Sequence, residues 1–222
     1  MTLDQFLAKN ENVARWDEDI LKIAGPKESW WHHTNKRFCT KNRIFKKIFN
    51  HGLLSEPIDY FEFGVSSGSS TLVMSHLLEH VDSRIYGFDT FTGLPEPLYH
   101  HGVLVQPKSA FSQEGYTPID RGIFHDTRCI FFKGLVKDTL PPLLGCYQNR
   151  SKFINLDMDL YEGTWFVLDR MAPLLLPGDV VKFDEFTGEE HEYRAYQNYV
   201  AAHGDNLHLV GQSFNQFVFV KS

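Results

Sequence analysis

Five short runs in the chain are apolar at nearly every position instead of at alternate ones: YFEFGV (60–65), RIYGFD (84–89), CIFF (129–132), FINLD (153–157) and DVVKFDEF (179–186). Continuous apolarity is the pattern of a strand covered on both faces, and it argues against a sheet with one wet side. Helical stretches are predicted between these runs: 69–80, opened by Ser69 and Ser70; 138–146, with Asp138 as N-cap; 163–175; and 189–203, ended by Gly204. Strand and helix in alternation give a doubly wound, mostly parallel α/β sheet. The runs 207–212 and 216–221 are separated only by Ser213, Phe214 and Asn215. That gap is too short for a crossover, so the sheet is expected to end in a hairpin with an antiparallel strand.

Composition narrows the partners. Of the 222 residues, 22 are basic and 28 acidic, a net charge of −6, which disfavours nucleic acid because phosphate backbones are held mainly by Lys and Arg. Cys39, Cys129 and Cys146 are odd in number and form no CxxC pair, so neither a disulfide framework nor a zinc knuckle is indicated, and a reducing cytoplasm is expected. No run reaches the ~20 apolar residues of a membrane span, and the acid-bearing start does not read as a signal peptide. A small molecule is the expected partner, with self-association into a homo-oligomer left open.

Two segments fall outside the regular winding. Residues 1–54 read as an N-terminal helical cap of two helices, 3–24 and 35–50, joined by a stretch with Trp30, Trp31, His32 and His33. The second helix carries Lys36, Arg37, Lys41, Arg43, Lys46 and Lys47, either a solvated face or a dock for an acidic partner or a membrane surface. The main domain is then 55–222. Within it, 94–127 is longer than connections usually run and rich in Pro and Gly, as lids are.

In YFEFGVSSGSST, Gly64 and Gly68 lie between the first strand and a helix, where a ligand approaches the backbone closely. The spacing is GxxxG, not the GxGxxG of a dinucleotide site, and Glu62 beside the turn suits a cationic ligand better than a pyrophosphate. Asp89 ends the second strand, where a carboxylate accepts hydrogen bonds from ribose hydroxyls. An adenosyl group joined to a cation satisfies all three features; taken singly, Gly64 is equally a chain turn and Asp89 a cap. Asp157, Asp184 and Glu185 end the fourth and fifth strands, and carboxylates brought together there call for a positive partner such as Mg²⁺. The alternative is that Asp184 and Glu185 cap the next helix. No His pairs with a Cys or His at a recognised zinc spacing, and a lid His as general base stays open.

The order FEFGVSSGSS, IYGFDTFTGLPE, FFKGLVKDTLP, INLDMDLYEGT, PGDVVKFDEF resembles the macrocin O-methyltransferase family of S-adenosylmethionine-dependent enzymes, over about residues 59–222. The resemblance implies a class I methyltransferase fold, a seven-stranded Rossmann-like sheet with its last strand antiparallel, and Mg²⁺-assisted methyl transfer to a hydroxyl, commonly on a sugar of a natural product. It places Glu62, Gly64, Gly68 and Ser69 at the methionine part of S-adenosylmethionine, Asp89 at the ribose, and Lys133 and Gly134 near the adenine. Asp157, Asp184 and Glu185 fall at metal-ligand positions, with Asp157 also beside the cofactor and placed to take the hydroxyl proton; Asp159 is a second catalytic candidate, with a structural role in accepting backbone N–H groups as its alternative. Glu185 stands where the family more often has Asp. Trp30, Trp31, Tyr161 and Phe186 are the expected acceptor contacts. A metal-independent methyltransferase, a nicotinamide oxidoreductase and a non-catalytic module of the same fold are the competing readings.

Overall fold

The computed structural model describes residues 1–16, 44–55, 57–122 and 124–222. Seven strands form one sheet in the order β5-β2-β1-β6-β7-β9-β8. They are β1 (Asp59–Phe63), β2 (Arg84–Asp89), β5 (Cys129–Lys133), β6 (Lys152–Leu156), β7 (Val180–Phe183), β8 (Leu207–Ser213) and β9 (Gln216–Lys221). β1, β2, β5, β6 and β7 pair in parallel, while β9 lies antiparallel to both β7 and β8. The final hairpin therefore stands as its short connection requires. A separate two-stranded hairpin, β3 (Leu98–His100) with β4 (Val103–Gln106), rises inside the long 94–127 segment and was not foreseen. Its exposed Val103, Leu104 and Val105 give no buried face to read from the sequence.

Alternate side chains of each strand feed two cores. Phe61, Phe63, Ile154, Leu156, Val181 and Phe183 face α4 (Val136–Leu144), α5 (Tyr161–Met171) and α6 (Glu192–His203). Tyr60, Ile85, Phe153 and Val180 face Met74 of α3 (Ser69–Leu77) and Phe45 and Ile48 of the helical stretch 44–50, here α2. The expected helix 3–24 is shorter over its described part. α1 (Leu3–Lys9) opens with a Thr2–Gln5 capping box and closes at Asn10, whose N–H and side chain both bond the carbonyl of Phe6. The chain then turns, and Arg15 bridges to Gln212 of β8. Phe6 packs among Phe186, Tyr193, Tyr196 and Phe219, which ties the start of the expected cap into the main core. Asp138 lies in the first turn of α4, not at its N-cap, which is Leu135.

From β1 the chain winds out to β2 and β5, and from β6 it winds the other way to β7, so the order reverses between β1 and β6. Open α/β sheets bind ligands at the carboxyl ends of the strands flanking such a reversal. Gly64 ends β1 at φ +94°, and a Cβ there would stand 1.8 Å from the carbonyl oxygen of Asp157. We expect Gly64→Ala to cost about 3–5 kcal/mol, overpacking and left-handed strain together, and to lower Tm by roughly 10 °C or abolish soluble expression. Gly178, at φ +91° with nothing within 4 Å, isolates the strain. Gly178→Ala should cost about 1–2 kcal/mol, and equal losses at the two positions in thermal melts would show that the Asp157 carbonyl is not the cause.

Candidate functional site

The loops at the reversal point are organised by Asp89. Its Oδ2 accepts the N–H of Ser66 in the glycine turn and its Oδ1 the N–H of Phe91, both at 2.7 Å. Ser66 and Phe91 each have positive φ, which turns these N–H groups toward the carboxylate. An ionised carboxylate has about four lone-pair sites, so each oxygen keeps capacity for one hydroxyl of a vicinal pair. The set therefore fits a ribose. Gly68 caps α3 in the left-handed region, and a Cβ there would lie 2.7 Å from Pro118 Cγ, so this glycine admits the 94–127 segment over the turn. Exposed Ser69 exchanges a hydrogen bond with Ser67, and Gly134 follows β5 with its N–H on the Asp89 carbonyl. Exposed Lys133 extends toward Gly115 of the same long segment.

Beneath this surface runs a buried polar row. Register sets Glu62 beside Asn155 and Asn155 beside Lys182, across β1, β6 and β7. Thr71 of α3 donates to Glu62 Oε2, and Asn155 Nδ2 lies 3.4 Å from Glu62 Oε1. Lys182 Nζ donates to Asn155 Oδ1 at 2.9 Å and to Asp184 Oδ1 at 2.8 Å, and sits over the Phe45 ring. Glu62 is thus wholly buried below the glycine turn, holding strand to helix. Neither Asn155 nor Lys182 was singled out from the sequence. The signal was present: a Lys and an Asn inside runs buried on both faces each need a polar partner.

Asp157, Asp159 and Asp184 sit at the ends of β6 and β7, with Asp159 at φ +62°. Asp157, Asp184 and Glu185, expected as ligands, stand at these strand ends without bringing three donor atoms within 4.8 Å of one another. Asp184 Oδ1 is already bonded by Lys182 and by Gln216 at 2.5 Å. Among the described residues, only His100, Glu190 and His191 bring three donor atoms within 4.8 Å of one another. Nor do Asp184 and Glu185 cap the next helix, which begins at Glu192 with His191 as N-cap. The acids nonetheless share a field. Burial first, and then the charge of Asp184, with Asp157 and Asp159 adding to it, push the Glu192 carboxyl well above the usual range. Its Oε2 accepts the Glu185 N–H at 2.8 Å, and its buried Oε1 has no partner among the described residues. All-oxygen donors in an incompletely offset negative field suit a hard cation chemically, although the donors are not drawn together around one.

Beside these acids, the 98–106 hairpin overhangs a cavity of about 860 Å³. Its wall includes Tyr99, Tyr161, Glu162, Glu190, His191 and Arg194. Arg194 lies 4.3 Å from the Tyr161 ring centre, and Asn198 donates to the Tyr161 hydroxyl at 2.6 Å. Tyr161, expected as an acceptor contact, lines this cavity. Phe186 does not: it is wholly buried, stacked on Phe217 and packed on Phe183, and the apolar run ending in EF is core to its last residue. Trp30 and Trp31 lie outside the described residues.

The macrocin O-methyltransferase family model matches residues 34–211. The chain belongs to that family. A relative from Streptomyces olivaceus, an 8-demethyl-8-(2,3-dimethoxy-alpha-L-rhamnosyl)-tetracenomycin-C 4'-O-methyltransferase, is 33% identical over 159 residues, 62% of this chain and 58% of that protein. The match thus spans under two thirds of the relative's length. The calicheamicin methyltransferase CalS11 superposes with a TM-score of 0.66 at 23% identity, over 85% of this chain and 79% of that one. The O-methyltransferase NovP does so at 0.58 and 22%, over 84% and 79%. Both share the fold, that of class I methyltransferases.

A carboxyl whose folded pKa is raised confers stability that is present below its unfolded pKa and lost as pH rises through the folded value. Glu192 is in this position. Glu192→Gln cannot titrate and keeps an acceptor for the Glu185 N–H, so its Tm advantage over the parent should widen from about pH 5 to pH 8. A gap that stays flat in scanning calorimetry would show that the Glu192 carboxyl is not raised.

Proposed function

We propose that the protein transfers the methyl group of S-adenosylmethionine to a hydroxyl of a small molecule, on a sugar or another part of a natural product. The observation that carries the cofactor is Asp89, whose two oxygens, each held by one loop N–H, face the glycine turn at the end of β2. Family membership supports the reaction class. The rhamnosyl group in the relative's name supports a sugar acceptor, as does a cavity walled by Glu162, Arg194, Gln197 and Asn198 rather than by apolar side chains.

When bound, the cofactor supplies an electrophilic sulfonium methyl group. The chain's own residues do the rest. Asp89 holds the ribose, Lys133 and Gly134 border the adenine, and Gly64, Gly68 and Ser69 bring backbone close to the amino-acid end, over Glu62. Half-buried Asp157 and Asp159 take the proton of the acceptor hydroxyl, while Tyr161 and Arg194 orient the ring that bears it. The 94–127 segment, already packed on Gly68 through Pro118, keeps water from the reacting oxygen. Mg²⁺ assistance is the finer part of the proposal: Asp157, Asp184 and Glu185 would hold the ion, which would acidify and orient the hydroxyl.

Asp89→Ala should weaken S-adenosylhomocysteine binding at least about tenfold in calorimetry, because two charge-assisted contacts go together. Unchanged affinity would remove the ribose assignment. With rhamnosyl acceptors, EDTA should abolish transfer and Mg²⁺ restore it; turnover indifferent to chelation would leave Lys182 as the counter-charge of Asp184 and take the metal out of the reaction.

A further inference from the structure

Besides the strand-end acids, His100, Glu190 and His191 bring one ligand atom each within 4.8 Å of one another. His100 ends β3, and Glu190 and His191 stand just before α6, so the cluster joins the overhanging hairpin to the main domain. His191 Nε2 lies 2.7 Å from the carbonyl oxygen of Tyr99. A carbonyl only accepts, so Nε2 carries a proton, and in the neutral ring Nδ1 then carries the lone pair. That Nδ1 is buried and has no hydrogen-bond partner among the described residues. An imidazole whose far nitrogen donates to a backbone carbonyl, fixing tautomer and ring plane, is arranged as metal-ligating histidines are. The His100 ring stands edge-on to His191 at 5.2 Å between centres.

Glu190 supplies the charge. Its Oε2 accepts the His101 N–H at 2.8 Å, and its Oε1 lies 4.0 Å from His101 Nδ1. Two imidazoles and a carboxylate select borderline ions of the Zn²⁺ class over Mg²⁺, which prefers oxygen alone. The site also has a mechanical consequence, because Glu190 borders both the large cavity and a smaller one of about 260 Å³ that His100 and Glu185 line.

We propose that His100, Glu190 and His191 bind a single Zn²⁺-class ion that latches the 98–106 hairpin to the loop before α6. Glu190 and His191 also line the cavity read as the acceptor's, but the test is separate from the methyl-transfer reading, since it uses neither a cofactor nor an acceptor.

Metal-free protein titrated with Co²⁺ and with Zn²⁺ tests it. One Co²⁺ per chain should bind with visible d–d absorption, Zn²⁺ should displace it with a Kd of about 1 µM or tighter, and excess Mg²⁺ should leave the spectrum unchanged. His191→Ala, His100→Ala and Glu190→Gln should each weaken Co²⁺ binding at least about tenfold, the lower end of what loss of even an outer partner costs. Glu190→Gln keeps an acceptor for the His101 N–H on an exposed side chain, so it reads the ligand role even if a histidine variant folds poorly. Zn²⁺ should also slow proteolysis within the hairpin in the parent but not in Glu190→Gln. Absence of stoichiometric Co²⁺ binding, displacement by Mg²⁺, or affinity unchanged in Glu190→Gln would overturn the site.

Discussion

One buried cation holds the centre of this molecule together. Lys182 stands in the middle of a parallel sheet, wholly enclosed, with its ammonium shared between Asn155 and Asp184 and capped by the Phe45 ring. Enclosing a charge is expensive, and removing one partner of such a pair typically costs about 3–5 kcal/mol because the other is stranded. The row from Glu62 through Asn155 and Lys182 to Asp184 therefore fixes four side chains across three adjacent strands. Asp184 is the last of them and the first residue beyond β7. The same interaction that aligns the strands thus sets where the first of the upper acids can point.

Much of this was legible in the sequence, for a physical reason. A strand covered on both faces cannot hide its apolar run, so β1, β2, β5, β6 and β7 were each found to within a few residues, and the Ser213–Asn215 connection forced the antiparallel end. Gly64 and Asp89 were legible because backbone conformation and strand-end position constrain residue type. Phe186 was not, because Phe serves core and pocket alike and nothing local says which. Glu192 was hidden because a glutamate in a first helical turn reads as ordinary dipole chemistry; its burial comes from the β7–α6 loop folding back on it. The β3–β4 hairpin was hidden because most of its apolar side chains, Tyr99, Val103, Leu104 and Val105, stay in solvent while Leu98 is buried.

The two glycines of the turn answer different demands. Gly64 yields to the main chain of β6, and Gly68 yields to Pro118 and Phe124 of the overhanging segment. In both cases the neighbour is protein. The turn is a packing junction where strand, helix and overhang meet, and an adenosyl ligand would use a surface whose shape is already determined by those contacts.

At the opposite rim of the sheet stand an enclosed pair and a half-buried one. Lys152 meets Asp179 at 2.7 Å, and Arg150 binds Asp59, at the entry of β6 and β1. These two pairs therefore lie at the ends of the strands opposite to the proposed site. A combinatorial library aimed at new acceptors can be confined to the loops leaving β6 and β7 and to the overhanging hairpin. It would leave the anchoring rim untouched, so altered selectivity and lost foldability should segregate among its clones.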